Sequence, residues 1–346
     1  MKKIARKLSN YLKKNKEKIS PLLILTHDHP DPDAMATAYA LRYYVGKFFG
    51  IKSKIVYGGK IGRMENRTMA EELKVPVLPL GKKDFETHPG VALVDTQPLF
   101  ENNCFPSNRT PSIVIDHHPL EANTKAECLI INPHVGATVS IMASVLFDLR
   151  VKLPKNLATA MLYGVLSETK DLGRETAPLD LKMYKELHAQ SDMQILSLIQ
   201  NPVRGKEFFK TIQRAIQNAF VVQRVIGVHL KEVESPDLVS QVADFLLAYE
   251  KVRWSICTGR YQGKLHVSLR THNTKANAGK MLQKIVGEPR RAGGHGMIAG
   301  GNLILGEGAP SSAYEEVEKK LVADLIKEMD YKGGNKLVYL FKEKRS

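Results

Sequence analysis

Three short apolar runs of this chain each end in residues that bind metal ions. Leu22 to Leu25 leads into His27-Asp28-His29-Pro30-Asp31-Pro32-Asp33, Val91 to Val94 into Asp95, and Ile113 to Ile115 into Asp116-His117-His118. Imidazole and carboxylate without thiolate is a donor set for Mn²⁺, Fe²⁺ or Zn²⁺ rather than for a calcium cage. Asp31 and Asp33, one residue apart across the stiff Pro32, are spaced to serve two neighbouring cations. Two such ions, about 3.5–4 Å apart and bridged by a carboxylate, polarise a phosphoryl oxygen and activate water. The expected chemistry is therefore hydrolysis of a phosphate ester or anhydride. A single Asp after a strand is usually a helix cap, and Asp33 before Ala34-Met35-Ala36 has that reading too. Asp28 and His29 read as turn residues flanking the pattern.

For those residues to meet, the runs must be adjacent parallel strands. Leu22 to Leu25, Lys54 to Tyr57, Val91 to Val94 and Ile113 to Ile115 read as buried strands. Ala34 to Phe49 and Glu65 to Leu73 read as helices between them, with Gly136 to Leu149 and Asn156 to Leu166 following. The rhythm predicts an α/β fold, a mostly parallel open sheet with helices on both faces. Such sheets place their sites at the carboxyl ends of the strands. Asp95, whose strand should lie between the other two, is the natural bridging carboxylate.

The second half changes character. Phe220 to Val233 reads as a strand, and Arg253 to Thr258 with Leu265 to Arg270 as a hairpin about a glycine-containing turn; Leu238 to Tyr249 and Ala276 to Ile285 read as helices. A smaller mixed α+β domain is expected. The boundaries read 1–200 for a metal-binding catalytic domain, 201–215 for a linker around Pro202 and Gly205, and 216–346 for a substrate-binding domain.

Composition bounds the rest. In 346 residues, 51 Lys and Arg against 36 Asp and Glu leave a net charge of +15, which favours polyanionic partners. Residues 1–20 hold eight Lys or Arg against one Glu, with Ile4, Leu8, Tyr11 and Leu12 at helical spacing. This is a basic amphipathic helix that packs one face on the domain or touches nucleic acid or a membrane surface. No apolar run reaches the length of a membrane span. Three scattered cysteines without a C-x-x-C pair point to a reducing, cytoplasmic setting.

His27-x-x-x-Asp31-x-Asp33-Ala34, Val94-Asp95-Thr96 and Asp116-His117-His118 resemble the first three motifs of the DHH phosphoesterase family. Arg291-Ala292-Gly293-Gly294-His295-Gly296 and Val267-Ser268-Leu269-Arg270 are similar to the DHH-associated domain of the first subtype. The resemblance covers nearly the whole chain after the N-terminal helix. It implies two domains around an active-site cleft and two divalent metal ions, Mn²⁺ foremost. One ion would take His27, Asp31 and the bridging Asp95; the other Asp33, Asp95, His117 and an acidic residue of a fourth motif. His118 would face the scissile phosphate and Asp116 would orient a histidine. Family members commonly show Asp-Thr in the fourth motif; here Glu168-Thr169 stands at that position, with Asp171 as the other candidate.

For substrate, the resemblance implies a clamp of Arg270, Arg291, Gly293, Gly294 and His295. From Arg270 to Arg291 six Lys or Arg face one Glu. The loop from Gly58 to Arg63, leading to Asn66 and Arg67, opens on the same sheet edge as the metal residues and is a further candidate for nucleotide contact. The length leaves no room for the extra domains of the family's large single-strand exonucleases. The compact members it resembles, bacterial nanoRNases, hydrolyse very short oligonucleotides and 3′-phosphoadenosine 5′-phosphate. The partner expected is thus a short single-stranded oligonucleotide or nucleotide, with a linear or cyclic dinucleotide as the alternative. A nucleotide- or RNA-binding protein with impaired catalysis is the alternative of another class. Oligomeric state is not fixed by the sequence.

Overall fold

The computed structural model describes residues 2–288, 291–329 and 336–341, with only the backbone at His295. The chain divides into two compact units, Met1–Pro202 and Val203–Ser346. Among the described residues no helix is long and apolar enough to cross a membrane.

The first unit runs α1 (Lys2–Ile19), β1 (Leu22–Leu25), α2 (Pro32–Phe49), β2 (Ser53–Tyr57), α3 (Met64–Glu72), β3 (Val77–Pro79), α4 (Asp84–Thr87), β4 (Gly90–Val94), β5 (Ile113–Asp116), β6 (Cys128–Ile131), α5 (Thr138–Asp148), α6 (Lys155–Thr169), α7 (Pro178–His188) and α8 (Met193–Gln200). Its six strands are all parallel, in the order β3-β2-β1-β4-β5-β6. Every residue of β1, β4 and β5 is buried, as the uninterrupted apolar runs require for strands covered on both faces. Leu22 and Ile24 join the larger core with α1, α2, α5 and α6, while Leu23 and Leu25 join a smaller one with Phe85 of α4 and Phe105. The strand order reverses between β1 and β4, so the chain leaves their carboxyl ends on diverging paths and opens a crevice there.

Local chemistry sets the helix that leaves β1. Asp31 caps α2 by accepting from the Ala34 amide at 3.0 Å, Pro32 takes the first turn, and Gly50 ends the helix with φ 67°. The cap is thus Asp31, and Asp33 lies inside the helix. α1 buries Leu8, Leu12 and Ile19, while Tyr11 and Lys18 both reach Glu127 at 2.8 Å. The helix packs one face on the domain.

The second unit comprises α9 (Lys206–Asn218), β7 (Phe220–Val222), β8 (Val225–Glu232), α10 (Pro236–Leu246), β9 (Trp254–Tyr261), β10 (Lys264–Thr271), α11 (Ala278–Val286), β11 (Ala292–His295), β12 (Ile298–Ile304), α12 (Ser311–Glu328) and β13 (Val338–Tyr339). A mixed seven-stranded sheet, β11-β12-β10-β9-β8-β7-β13, pairs β8 and β9 in parallel and its other neighbours antiparallel. The β9–β10 hairpin turns on Gln262 and Gly263, both at positive φ, as two-residue hairpin turns demand. Two expectations need correction. Of the stretch read as a linker, 201–215, residues from 206 onward are the first turns of α9. The single strand read over Phe220 to Val233 is two, broken at Gln223 with φ 54°.

Candidate metal centre

The switch point between β1 and β4 carries two overlapping groups of residues able to hold a metal ion, both sharing Asp95. Asp95 follows β4 at φ 57°, a left-handed conformation that Asp tolerates better than most residues. That turn drives a side chain with only 4% exposure into the crevice. One oxygen, Oδ2, faces His27 Nε2 at 3.6 Å; the other, Oδ1, faces His117 Nε2 at 3.8 Å and accepts from the Thr138 hydroxyl at 2.6 Å. Asp31 Oδ1 lies 3.7 Å from His27 Nε2. Potential ligand atoms of His27, Asp31 and Asp95 lie within 4.8 Å of one another, as do those of Asp95, His117 and His118.

These distances discriminate between two readings. They are too long for good hydrogen bonds. They approach the separation of two atoms that share one cation at about 2.1 Å each. Both histidines are also oriented as metal ligands usually are. His27 Nδ1 is held by the Asp28 carbonyl at 2.8 Å, and His117 Nδ1 by the Val135 carbonyl at 3.2 Å, which turns each Nε2 toward the carboxylates.

Electrostatics points the same way. Burial alone would lower the His27 imidazole, but Asp31 and Asp95 outweigh it and carry its pKa up to about 10. Burial opposes ionisation of Asp31 too, yet the neighbouring His27 holds it below the ordinary carboxylate range. Asp33 is pushed well up by burial and then by the carboxylates of Asp95, Asp31 and Glu168. Carboxylates so crowded in a buried site favour a cation in their midst, so the donor set and its geometry fit a divalent metal.

Asp33 has a second task that sequence spacing does not reveal. Its Oδ2 accepts from the Thr138 amide and its Oδ1 from the Val139 amide, both at 2.7 Å. Those are the first amides of α5, whose own N-cap, Ala137, offers no side-chain oxygen. Asp33 therefore caps a helix 105 residues further along the chain. It is not among the groups that converge within 4.8 Å.

Asp116 ends β5 fully buried. Its Oδ1 accepts from His118 Nδ1 at 2.8 Å and from the amides of His117 and His118 at 2.8 and 3.2 Å; its Oδ2 accepts from Gln97 Nε2 at 2.8 Å. Burial works to raise the Asp116 pKa, but these donors, His118 foremost, keep it low. In return, although burial lowers it, the Asp116 bond carries His118 up to about 9. The His118 nitrogen nearest Asp95 is Nδ1, 3.9 Å away and committed to Asp116. This arrangement suits His118 to meeting an anion better than to ligating through that nitrogen.

Glu168, in the last turn of α6, is held by Arg174, whose Nη2 donates to its Oε1 at 2.9 Å and to its carbonyl at 2.6 Å. Burial, then Asp31 and Asp95, push Glu168 up to about 8 against the pull of Arg174. It feels the cluster electrostatically but stands outside the two converging groups. Asp171 lies beyond it in a left-handed run, Lys170, Asp171 and Leu172, all at positive φ.

In the second unit Arg270 is held by neighbouring groups of the protein. It is 3% exposed, with Nε on Asp244 Oδ1 at 2.7 Å and Nη1 on the carbonyls of Leu269 and Ala299 at 3.0 and 2.8 Å. Arg291 Nε pairs with Glu288. Gly293 and Gly294 lie in β11, and a Cβ on Gly294 would come within 2.2 Å of the Ile298 carbonyl, so glycine is required there for packing. The side chain of His295 and all of Arg290 lie outside the described residues. Three participants escaped sequence reading: Gln97, Thr138 and Arg174. Each acts through a contact between distant segments or a loop that no spacing rule specifies.

Residues 21–165 match the model of the DHH family, N-terminal domain. An uncharacterized protein of Methanocaldococcus jannaschii, MJ1633, is 34% identical over 322 residues, which cover 91% of this chain and 64% of that protein. The chain thus spans less than two thirds of that relative's length. A probable manganese-dependent inorganic pyrophosphatase of Streptococcus equi subsp. zooepidemicus is 29% identical over 162 residues, 44% of this chain and 49% of the relative. Among solved structures, an exopolyphosphatase-related protein from Bacteroides fragilis shares the fold, with a TM-score of 0.74 at 13% identity over 95% of this chain and 98% of its own.

Proposed function

Because the chain carries the N-terminal domain of the DHH family, we propose that it is a metal-dependent phosphoesterase acting on nucleotides or very short oligonucleotides. The observation that carries this reading is Asp95, with one oxygen facing His27 Nε2 and the other facing His117 Nε2. His27, Asp31 and Asp95 would hold one cation, and Asp95 and His117 would hold a second, with Asp33 and Glu168 as candidate carboxylates for it. Mn²⁺ is the first choice, supported by the name of the pyrophosphatase relative. Divalent cations in such a site supply Lewis-acid polarisation of the phosphoryl group and activation of water.

The chain's own groups supply the rest. Asp116 fixes the His118 ring through Nδ1, so that the ring is placed to hydrogen-bond a phosphoryl oxygen and steady the charge that grows there. Gln97 locks Asp116 in turn. Thr138 and Asp33 hold α5 against the cluster and set the Asp95 carboxylate. In the second unit, Arg291 and the Gly293-Gly294-His295 segment of β11 are the elements we assign to substrate anions. Arg270 stays in that assignment only if it leaves Asp244.

The test is hydrolysis of a 5′-labelled RNA dinucleotide with Mn²⁺, beside a longer oligomer, 3′-phosphoadenosine 5′-phosphate and inorganic pyrophosphate. Wild type runs against Asp95→Asn, a residue that tolerates positive φ. Turnover of the dinucleotide that falls more than about 100-fold in the variant supports the proposal. Faster turnover of pyrophosphate than of any nucleotide replaces the substrate class. Binding without Mn²⁺-dependent turnover on any of them overturns the catalytic reading in favour of a nucleotide-binding protein.

A further inference from the structure

The carboxyl ends of β2 and β3 open on a cavity of about 500 Å³ that the metal centre does not use. Its lining includes Tyr57, Lys60, Ile61, Arg67, Glu71 and Val77. In the sheet, β2 is the neighbour of β1, the strand that presents His27, and β3 is the next strand out. The same loop builds both places. The His29 amide donates to the Gly58 carbonyl at 2.9 Å, and its ring lies where a Cβ on Gly59 would come within 2.6 Å. Asn66, at the start of α3, donates to the Pro30 carbonyl at 3.4 Å. The cavity wall and the metal-binding loop are therefore pinned to each other at two points.

Resting on the phosphoesterase reading above, we propose that this cavity is the subsite for the nucleoside portion of the substrate whose phosphate lies at the metal centre. Its chemistry is mixed in the way a nucleoside requires. The Tyr57 ring and apolar walls from Ile61 and Val77 suit the faces of a base. Arg67, steadied by Nε on the Ile61 carbonyl at 3.0 Å, and Lys60 bring positive charge to the anionic side of the ligand. The Glu71 carboxylate accepts from ribose hydroxyls or base N–H groups. A purely anionic occupant, such as a polyphosphate tail, gains nothing from the apolar walls and is repelled by Glu71. The cavity's size falls within the range of small-ligand sites, about 300–1,000 Å³.

Equilibrium binding of AMP, UMP and inorganic phosphate, measured with Mn²⁺ by calorimetry, tests the assignment. Ala70 sits on α3 and lines the cavity, so Ala70→Leu fills it with a good helix former. Arg67→Ala is the second variant, and a thermal melt of each checks that it folds. Ala70→Leu should weaken AMP and UMP about tenfold or more while leaving inorganic phosphate within about twofold; Arg67→Ala should weaken the nucleotides as well. The dinucleotide KM should rise in Ala70→Leu with kcat unchanged. Nucleotide affinity indifferent to both substitutions overturns this inference alone. Equal loss of phosphate and nucleotide in Ala70→Leu also overturns it, by making the cavity an anion site. A wild type that binds neither AMP nor phosphate with Mn²⁺ removes the phosphoesterase reading itself, and this subsite with it.

Discussion

Asp33 separates two readings of one carboxylate, and the isosteric change Asp33→Asn sets them against each other in metal-free protein. The wild-type side chain satisfies two buried amides, Thr138 and Val139, at 2.7 Å each. Asparagine keeps one acceptor and turns an NH₂ group toward the other amide, which orphans one buried donor at about 1–3 kcal/mol. Losing the negative charge at the start of α5 costs about 0.3–1 kcal/mol more. Against this stands relief of repulsion from Asp95 and Asp31, the groups that raise Asp33 in the metal-free site. The net expectation is a loss of about 2 kcal/mol, or about 1 M in urea midpoint at a slope of about 2 kcal/mol per molar. Asp33→Ala orphans both amides and should lose about 4 kcal/mol. The assay is urea unfolding in chelator, with hydrogen exchange at the Thr138 and Val139 amides as a local readout. Both amides should exchange faster in each variant. A metal-free Asp33→Asn protein as stable as wild type or more so, with only the Mn²⁺-induced stabilisation gone, refutes the cap and leaves Asp33 a ligand alone.

Three further outcomes are expected. In metal-free protein His27, at about 10, lies above its ordinary value, so its pairing with Asp31 and Asp95 is complete below about pH 6.5 and fades as pH rises through 10. Mn²⁺ must displace that proton, so its affinity should climb with pH between about 7 and 9; calorimetry in buffers of different ionisation enthalpy should find proton release, and its absence sinks the ligand assignment. Asp116→Asn should drop His118 from about 9 toward the ordinary imidazole value, seen by NMR titration of its ring, because Asp116 is its main support; an unmoved titration means that Asp95 alone carries the shift. Arg174→Met should destabilise the first unit most above about pH 8, where wild-type Glu168 is ionised on Arg174, because without Arg174 burial and the neighbouring Asp31 and Asp95 drive the Glu168 carboxyl to bind a proton. The loss should shrink as pH falls through about 8, since Glu168 then carries a proton in both proteins, and Arg174→Lys should recover part of it; a pH-independent loss shows that only packing was removed.

Much of the first unit is legible without coordinates because its information is local. β1, β4 and β5 are uninterrupted apolar runs, and each stops at a residue that is costly to bury without a partner: His27, Asp95 and the Asp116-His117-His118 trio. A parallel sheet then forces those ends to one edge, so convergence of residues about ninety positions apart follows from topology alone. The hairpin at Gln262-Gly263 is legible for the same reason, since its turn chemistry lies in the turn itself.

What escaped sequence reading depends on partners that no periodicity encodes. The sequence offers Asp31 and Asp33 as carboxylates for two neighbouring cations, with Asp33 as the candidate cap of the helix that follows it. Tertiary structure makes one the cap of its own helix and the other the cap of a helix from a distant segment. Arg270 reads from the sequence as a substrate clamp, and only the fold shows that its guanidinium is held by Asp244 and two carbonyls. Glu168 stands in the fourth-motif position, but only the turn that brings back Arg174 sets what its carboxylate pairs with. Residues 206–215 read as linker because α9 hides only a narrow stripe, Thr211 and Ala215. Residue type and order determine which groups reach the sheet edge; which of them are held by protein partners, and which face one another across a space for a cation, is decided by contacts made only when the chain is packed.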